Sequence, residues 1–280
     1  MIKEKSYAKI NIGLKVTEKL DNGYHLLDTI MISLDYFDEL EFIEAEDESI
    51  VISNVDIPGK NIIIKTIDYI KQKYNVDKNV IVKLNKNIFL SSGLAGGSGN
   101  AAATIRALNK MWNLNLSTFE MENIAYNIGA DVTYCLYNKP ARAKGIGEKL
   151  EFIENNLCDN VYCLVINPKF EVSTKEVFEG LIIQEKQDVN CIDNIKKAFQ
   201  FGNLNDVNMN IENDLESVTF NRYNELFTLK RELDSKYNCN FNMTGSGPTL
   251  YLLTDKYELL TNIEKEYNDK CFVKVCRILK

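Results

Sequence analysis

The chain has a single histidine among 280 residues, and none of its seven cysteines (135, 158, 163, 191, 239, 271 and 276) forms a Cys-x-x-Cys pair. A structural zinc centre draws its ligands from such residues, so none is expected and no side chain is assigned to a metal. An odd number of thiols, several inside apolar runs such as Val161-Tyr162-Cys163-Leu164-Val165, reads as reduced and buried. Positive charge is scarce as well: Lys and Arg total 33 against 40 Asp and Glu, a net charge of −7. Nucleic acid would be repelled at long range, so no nucleic-acid partner is expected, and any anionic ligand must be gripped by local groups. No apolar run approaches the ~20 residues that span a bilayer, and the opening Met-Ile-Lys-Glu-Lys-Ser-Tyr lacks a signal core. The expectation is a soluble, cytoplasmic protein with no membrane partner, monomeric or homodimeric.

What is present is a pattern of mixed elements. Ser6–Val16 alternates, with Ala8, Ile10, Ile12 and Leu14 on one face and Lys9, Asn11 and Gly13 on the other. Leu40–Ile43 and Val80–Leu84 read as strands; 61–74 and 98–113 read as helices. Ser117, with Glu120 three residues on, predicts a capped helix over Leu116–Asn127. After a polar stretch over 151–160 the pattern restarts, with strands at 161–166, 241–243, 249–254 and 271–279, and helices near 174–181, 193–200 and 224–236. This order predicts an α+β architecture, divided into domains 1–154 and 155–280.

Three stretches carry chemistry. In Gly93-Leu94-Ala95-Gly96-Gly97-Ser98-Gly99-Asn100, four glycines precede an alanine-rich helix, so unpaired amides and the helix dipole can meet an anion. It is neither a Walker A loop nor a dinucleotide fingerprint, because Gly-Lys-Ser/Thr and the Gly-x-Gly-x-x-Gly spacing are both missing. Thr244-Gly245-Ser246-Gly247 is a tight turn between strands, a hairpin as readily as a ligand clamp. The Lys9/Asn11 face would by itself be a solvated strand face. Asp131, among small apolar residues, reads first as a turn or helix cap, and His25 after Tyr24 as a structural histidine in a turn with an aromatic neighbour suited to base stacking.

Taken in order, Ala8-Lys9-Ile10-Asn11, Asp21-Asn22-Gly23-Tyr24-His25, the Gly93–Ala103 loop, Gly129-Ala130-Asp131-Val132, Ala143–Glu148 and Thr244–Gly247 resemble the 4-diphosphocytidyl-2-C-methyl-D-erythritol kinase family. That family lies within the galactokinase, homoserine kinase, mevalonate kinase and phosphomevalonate kinase (GHMP) superfamily, and the likeness spans nearly the whole chain. It implies a two-domain fold, an N-terminal ribosomal-protein-like α/β domain followed by a ferredoxin-like domain. It implies an ATP-dependent kinase of isoprenoid precursor biosynthesis, with Mg²⁺ as cofactor, acting on the 2-hydroxyl of a cytidyl diphosphate sugar alcohol. By that resemblance Asp131 would take the hydroxyl proton, with Lys9 beside it keeping it charged. Gly93 to Asn100 would wrap the ATP phosphates. Tyr24 and His25 would recognise cytosine, Thr174 and Phe178 would line the same pocket, Asn11 would contact the erythritol end, and Thr244, Gly245, Ser246 and Gly247 would close the cleft.

The chain also departs from the family pattern. Phe89 stands where a proline usually opens the loop, Thr133 where a proline usually follows Gly-Ala-Asp-Val, and Gly99 where a second serine is usual. A hydroxyl at 99 could hold Mg²⁺ or phosphate; its loss is worth roughly 1.5–3 kcal/mol. A superfamily kinase of another small alcohol, or a nucleotide-binding relative without turnover, are the alternative readings.

Overall fold

A computed structural model describes residues 1–183 and 188–280. Two long strands open the chain, β1 (Ile2–Lys19) and β2 (His25–Ala45), joined by a turn over 20–24 in which Gly23 sits at φ 85°. β1 alternates at its start and is then buried on both faces from Ala8 to Leu14; β2 is buried without a break from Asp28 to Leu34. A strand covered on both sides loses its period of two. Over 28–34 of β2 the sequence accordingly shows no alternation, whereas Ser6–Val16 of β1 alternates in residue type although both its faces are covered; His25, expected in a turn, begins β2.

By packing, the chain forms two units. The first comprises residues 1–8, 36–90 and 95–138. In it, β3 (Ile50–Ser53) runs parallel to β4 (Asn79–Asn85), which pairs antiparallel with Glu39–Ala45 of β2. Helix α1 (Ile62–Tyr74) starts where Asn61 accepts from Ile63 N, and it buries Ile63, Ile67 and Ile70. Beside it lies α2 (Gly96–Met111), then α3 (Thr118–Ile128) and the short α4 (Val132–Tyr137). The predicted capping box of Ser117 and Glu120 is present. Inside this unit the carboxylate of Asp38 accepts from Lys86 Nζ (2.6 Å) and from the backbone N–H groups of Asn87 and Ile88 (2.7 Å each). Burial pushes the Lys86 ammonium down, and the Asp38 charge pulls it back up.

The second unit comprises 9–35, 91–94 and 139–280. Residues 27–31 of β2 pair antiparallel with β5 (Ala141–Gly145), which continues into β6 (Lys149–Phe152). Beyond β7 (Tyr162–Asn167) come α5 (Thr174–Glu179), α6 (Asn190–Phe201), α7 (Leu204–Met209), α8 (Glu216–Arg222) and α9 (Asn224–Tyr237). The chain ends with β8 (Asn242–Met243), β9 (Leu250–Thr254), α10 (Tyr257–Tyr267) and β10 (Phe272–Arg277). These last strands form an antiparallel sheet in the order β10-β7-β9-β8, the ferredoxin-like arrangement. Leu164, Ile166, Leu226, Leu233, Phe241, Leu250, Leu260 and Ile263 make its core, joined by Leu14 and Val16 of β1.

Candidate active site

Lys9 and Asn11 are buried, Lys9 to 4% exposure, so the face expected to be solvated is an interior one. Burying an ammonium is costly unless it is paired and hydrogen-bonded. Lys9 Nζ donates to Asn11 Oδ1 (2.7 Å), Asn11 Nδ2 donates to Thr29 Oγ1 (3.0 Å), and Thr29 Oγ1 donates to Gly13 O (2.6 Å). The Asn11 backbone N–H donates to Thr244 Oγ1 (2.9 Å), which ties the strand to the Thr244–Gly247 turn. That turn is itself braced: Asn213 Nδ2 donates to Met243 O and Gly245 O (2.9 Å each), Glu216 accepts from Met243 N, and Thr219 Oγ1 donates to Ser246 O (3.2 Å). Thr174 Oγ1 and Ser246 Oγ lie 2.8 Å apart.

The entry of the glycine tract joins the same unit. Lys9 N donates to Leu94 O (3.1 Å), and Thr249 Oγ1 donates to Ser92 O (2.6 Å). Gly93 has φ 75°, and a Cβ there would stand 2.9 Å from Thr244 O and 3.0 Å from Gly247 O. Neither backbone atom can swing away, so glycine is required on both counts.

In the first unit, α2 starts at Gly96 after Ala95 in the left-handed conformation, with no side-chain cap. The first intrahelical bond is Gly99 N to Ala95 O, which leaves the N–H groups of Gly96, Gly97 and Ser98 without an intrahelical acceptor. No acid stands in this first turn. A Cβ on Gly99 would lie 2.3 Å from Ser6 Oγ, so the neighbouring strand explains the missing side chain at 99. Asp131 occupies the N-cap position of α4, half-buried, yet its carboxylate does not cap that helix. It stands where the turn or cap reading put it, in the turn that opens α4, without a side-chain cap bond.

His25 and Phe178 lie with ring centroids 5.1 Å apart, inclined by 31°. His25 is buried, Nε2 has no hydrogen-bond partner, and burial, followed by the charge of Lys19, lowers its pKa from the ordinary value. Tyr24 beside it is 58% exposed. A buried ring nitrogen without a partner, next to an aromatic face and an exposed tyrosine, suits a planar ligand with hydrogen-bonding edges.

The sequence matches the descriptions "GHMP kinases N terminal domain" over residues 61–139 and "GHMP kinases C terminal" over 192–272. It is 41% identical over 270 residues to the 4-diphosphocytidyl-2-C-methyl-D-erythritol kinase of Thermoanaerobacter pseudethanolicus, covering 96% of this chain and 91% of that one. The chain belongs to this family of GHMP kinases. The enzyme of the same name from Clostridioides difficile is 36% identical, with 95% and 94% of the two chains covered. Among solved structures, a crystal structure of 4-(cytidine 5'-diphospho)-2C-methyl-D-erythritol kinase matches with a TM-score of 0.83 at 22% identity, covering both chains completely. Homoserine kinase from Cytophaga hutchinsonii follows with a TM-score of 0.70 at 15% identity over 97% and 94% of the two chains. The two-domain GHMP fold is thus established by sequence and by shape.

Sequence reading missed Thr29, Asn213 and Arg142. Arg142 holds Asp28 through two bonds of 2.7 Å and Asp193 through one of 2.6 Å. A threonine inside the apolar run Thr29-Ile30-Met31-Ile32 was the available signal, since a hydroxyl in a fully buried strand needs a partner.

Proposed function

We propose that this GHMP-family kinase transfers the γ-phosphoryl group of ATP to the 2-hydroxyl of 4-diphosphocytidyl-2-C-methyl-D-erythritol, in the cytoplasm, within the methylerythritol phosphate route to isoprenoid precursors. The observation that carries the reading is the start of α2: three N–H groups without an intrahelical acceptor, no side-chain cap and no acid in the first turn, in a chain of net charge −7. Such a helix end gives an acidic protein a local place for polyphosphate. In the reaction the substrate oxygen bonds to the γ-phosphorus, the bond from phosphorus to the bridging oxygen breaks, ADP leaves, and the hydroxyl proton passes to Asp131. Lys9 supplies positive charge at the hydroxyl, and Asn11 contacts the erythritol end. Tyr24, His25 and Phe178 take the cytosine, with Thr174 and Ser246 alongside.

Positioning and charge neutralisation do most of the work in phosphoryl transfer. Magnesium commonly reaches kinases on the nucleotide with few protein ligands, and among the described residues no group of three or more His, Cys, Asp or Glu could hold a metal ion. The Ser98 hydroxyl, in the uncapped first turn of α2 proposed to hold the phosphates, is a hard oxygen ligand that would hold Mg²⁺, and the ion would neutralise charge on the phosphoryl oxygens. A domain division at 154/155 leaves each family match whole.

The test is direct. Purified protein, ATP, Mg²⁺ and the cytidyl substrate are incubated and the product is examined by phosphorus NMR. A phosphate monoester on the 2-hydroxyl is expected; ATP consumption without it, or no consumption, rejects the assignment.

A further inference from the structure

The hydrogen-bond chain around Asn11 can run in only one direction. Gly13 O is a carbonyl and only accepts, so the Thr29 hydroxyl, 2.6 Å away, must donate to it. The Thr29 lone pairs are then left for Asn11 Nδ2 at 3.0 Å. That fixes the Asn11 amide with Oδ1 towards Lys9 Nζ, which has only donors to offer, at 2.7 Å. A flipped amide would turn its own N–H groups on the ammonium and its oxygen on a hydroxyl whose proton is already committed. All three side chains are buried, so water cannot repair the mismatch.

Packing alone does not call for a hydroxyl at this place. Valine has the same shape, suits a strand equally well, and avoids the cost of burying a polar group. Strand alternation also sets Thr29 on the same face of β2 as His25, four residues earlier. The backbone of Asn11 is pinned separately by Thr244, so what Thr29 adds is control of the side chain alone.

We propose that Thr29 is a positioning residue: it sets the orientation of the Asn11 amide and, through Asn11 Oδ1, the place of the Lys9 ammonium. This rests on the roles proposed above for Lys9 and Asn11. Its action is on the acceptor substrate and the chemical step, not on ATP.

The experiment compares Thr29→Val, Thr29→Ser, Asn11→Ala and the double variant Thr29→Val/Asn11→Ala by steady-state kinetics with both substrates. Thermal unfolding confirms that each variant is folded. In parallel, NMR measures solvent exchange of the Asn11 side-chain amide protons. Thr29→Val is expected to lower kcat/KM for the cytidyl substrate about 10- to 100-fold, the size of one or two lost buried hydrogen bonds, with KM for ATP nearly unchanged. Thr29→Ser restores most of it, and in the Asn11→Ala background Thr29→Val causes no further loss. The Asn11 amide protons exchange slowly in wild type and Thr29→Ser, and fast in Thr29→Val.

A Thr29→Val enzyme with wild-type kinetics overturns the inference. So does a loss that serine fails to repair, or one that simply adds to that of Asn11→Ala. If the wild-type protein shows no turnover, the functional reading fails, and the exchange measurement still decides Thr29: equal protection in Thr29→Val rejects it.

Discussion

At Asp131 the carboxylate stands at the N-cap position of α4 without capping it. A capping aspartate would cost about 0.5–2 kcal/mol of stability on substitution, and Asp131 makes no side-chain cap bond. Asp131→Asn should leave ATP affinity close to wild type while turnover falls about 10²- to 10⁴-fold, the usual worth of a positioned base. Calorimetric titration with ATP beside a turnover assay separates the two; matched losses would make the residue structural. His25 offers a pH prediction. Burial first, then Lys19, lowers its pKa, so the ring stays neutral at pH 7 and takes up a proton only below its ordinary value of 6.5. Its folded pKa is depressed, so its contribution to stability is complete above 6.5 and is lost as pH falls through the folded value. KM for the cytidyl substrate should rise over the same window, with KM for ATP flat. Lys19→Met removes one of the two causes and should move that rise to higher pH. A pH profile identical in the two proteins would disconnect His25 from the pocket.

At the scale of elements, the two glycine positions of the loop differ in how rigid their neighbours are. Gly93 faces backbone oxygens of the Thr244–Gly247 turn, whereas the atom that crowds a Cβ at Gly99 is the rotatable hydroxyl Ser6 Oγ, with Tyr7 O at an ordinary 3.4 Å. Gly93→Ala should thus be strongly destabilising, while Gly99→Ala is expected to be tolerated once Ser6 becomes alanine. The Ser6→Ala/Gly99→Ala pair should exceed wild type by about 1 kcal/mol in urea unfolding, because alanine replaces glycine within α2. Independent, additive single effects would show that the two positions are not coupled. Ser6 Oγ is buried without a hydrogen-bond partner, so its removal sacrifices none. These local relations are what the sequence could not display. Ser117 with Glu120, the 3.6-residue pattern of α1 and the closing strands were legible because each signal lies within a few residues. The 28–34 stretch of β2 was not, since a strand covered on both faces loses its alternation. Among the candidate site residues, the glycine tract and Lys9 could be singled out by composition and order. Asn213 could not, because its partners lie 30 or more residues away, and Thr29, though marked by a hydroxyl in an apolar run, has its acceptor 16 residues away.

For the whole molecule, the two packing units are not consecutive lengths of chain. β1 passes from the first unit into the second after Ala8, and β2 passes back after Asp35. Each unit carries its own buried ion pair, Lys86–Asp38 in the first and Arg142–Asp28 in the second. Removing one partner of such a pair leaves an uncompensated buried charge and costs about 3–5 kcal/mol. Because the strands are shared, loosening one unit should be felt by the other, and unfolding should be a single transition. The only tryptophan, Trp112, is buried in the first unit and reports on it by fluorescence. Asp28→Ala lies in the second unit, so its effect on that fluorescence measures the coupling. The expected result is a lower urea midpoint for Trp112 fluorescence that coincides with the midpoint by far-ultraviolet circular dichroism. A tryptophan transition left at its wild-type midpoint, with a second phase moved to lower urea, would mean that the units unfold independently despite the strands that run through both.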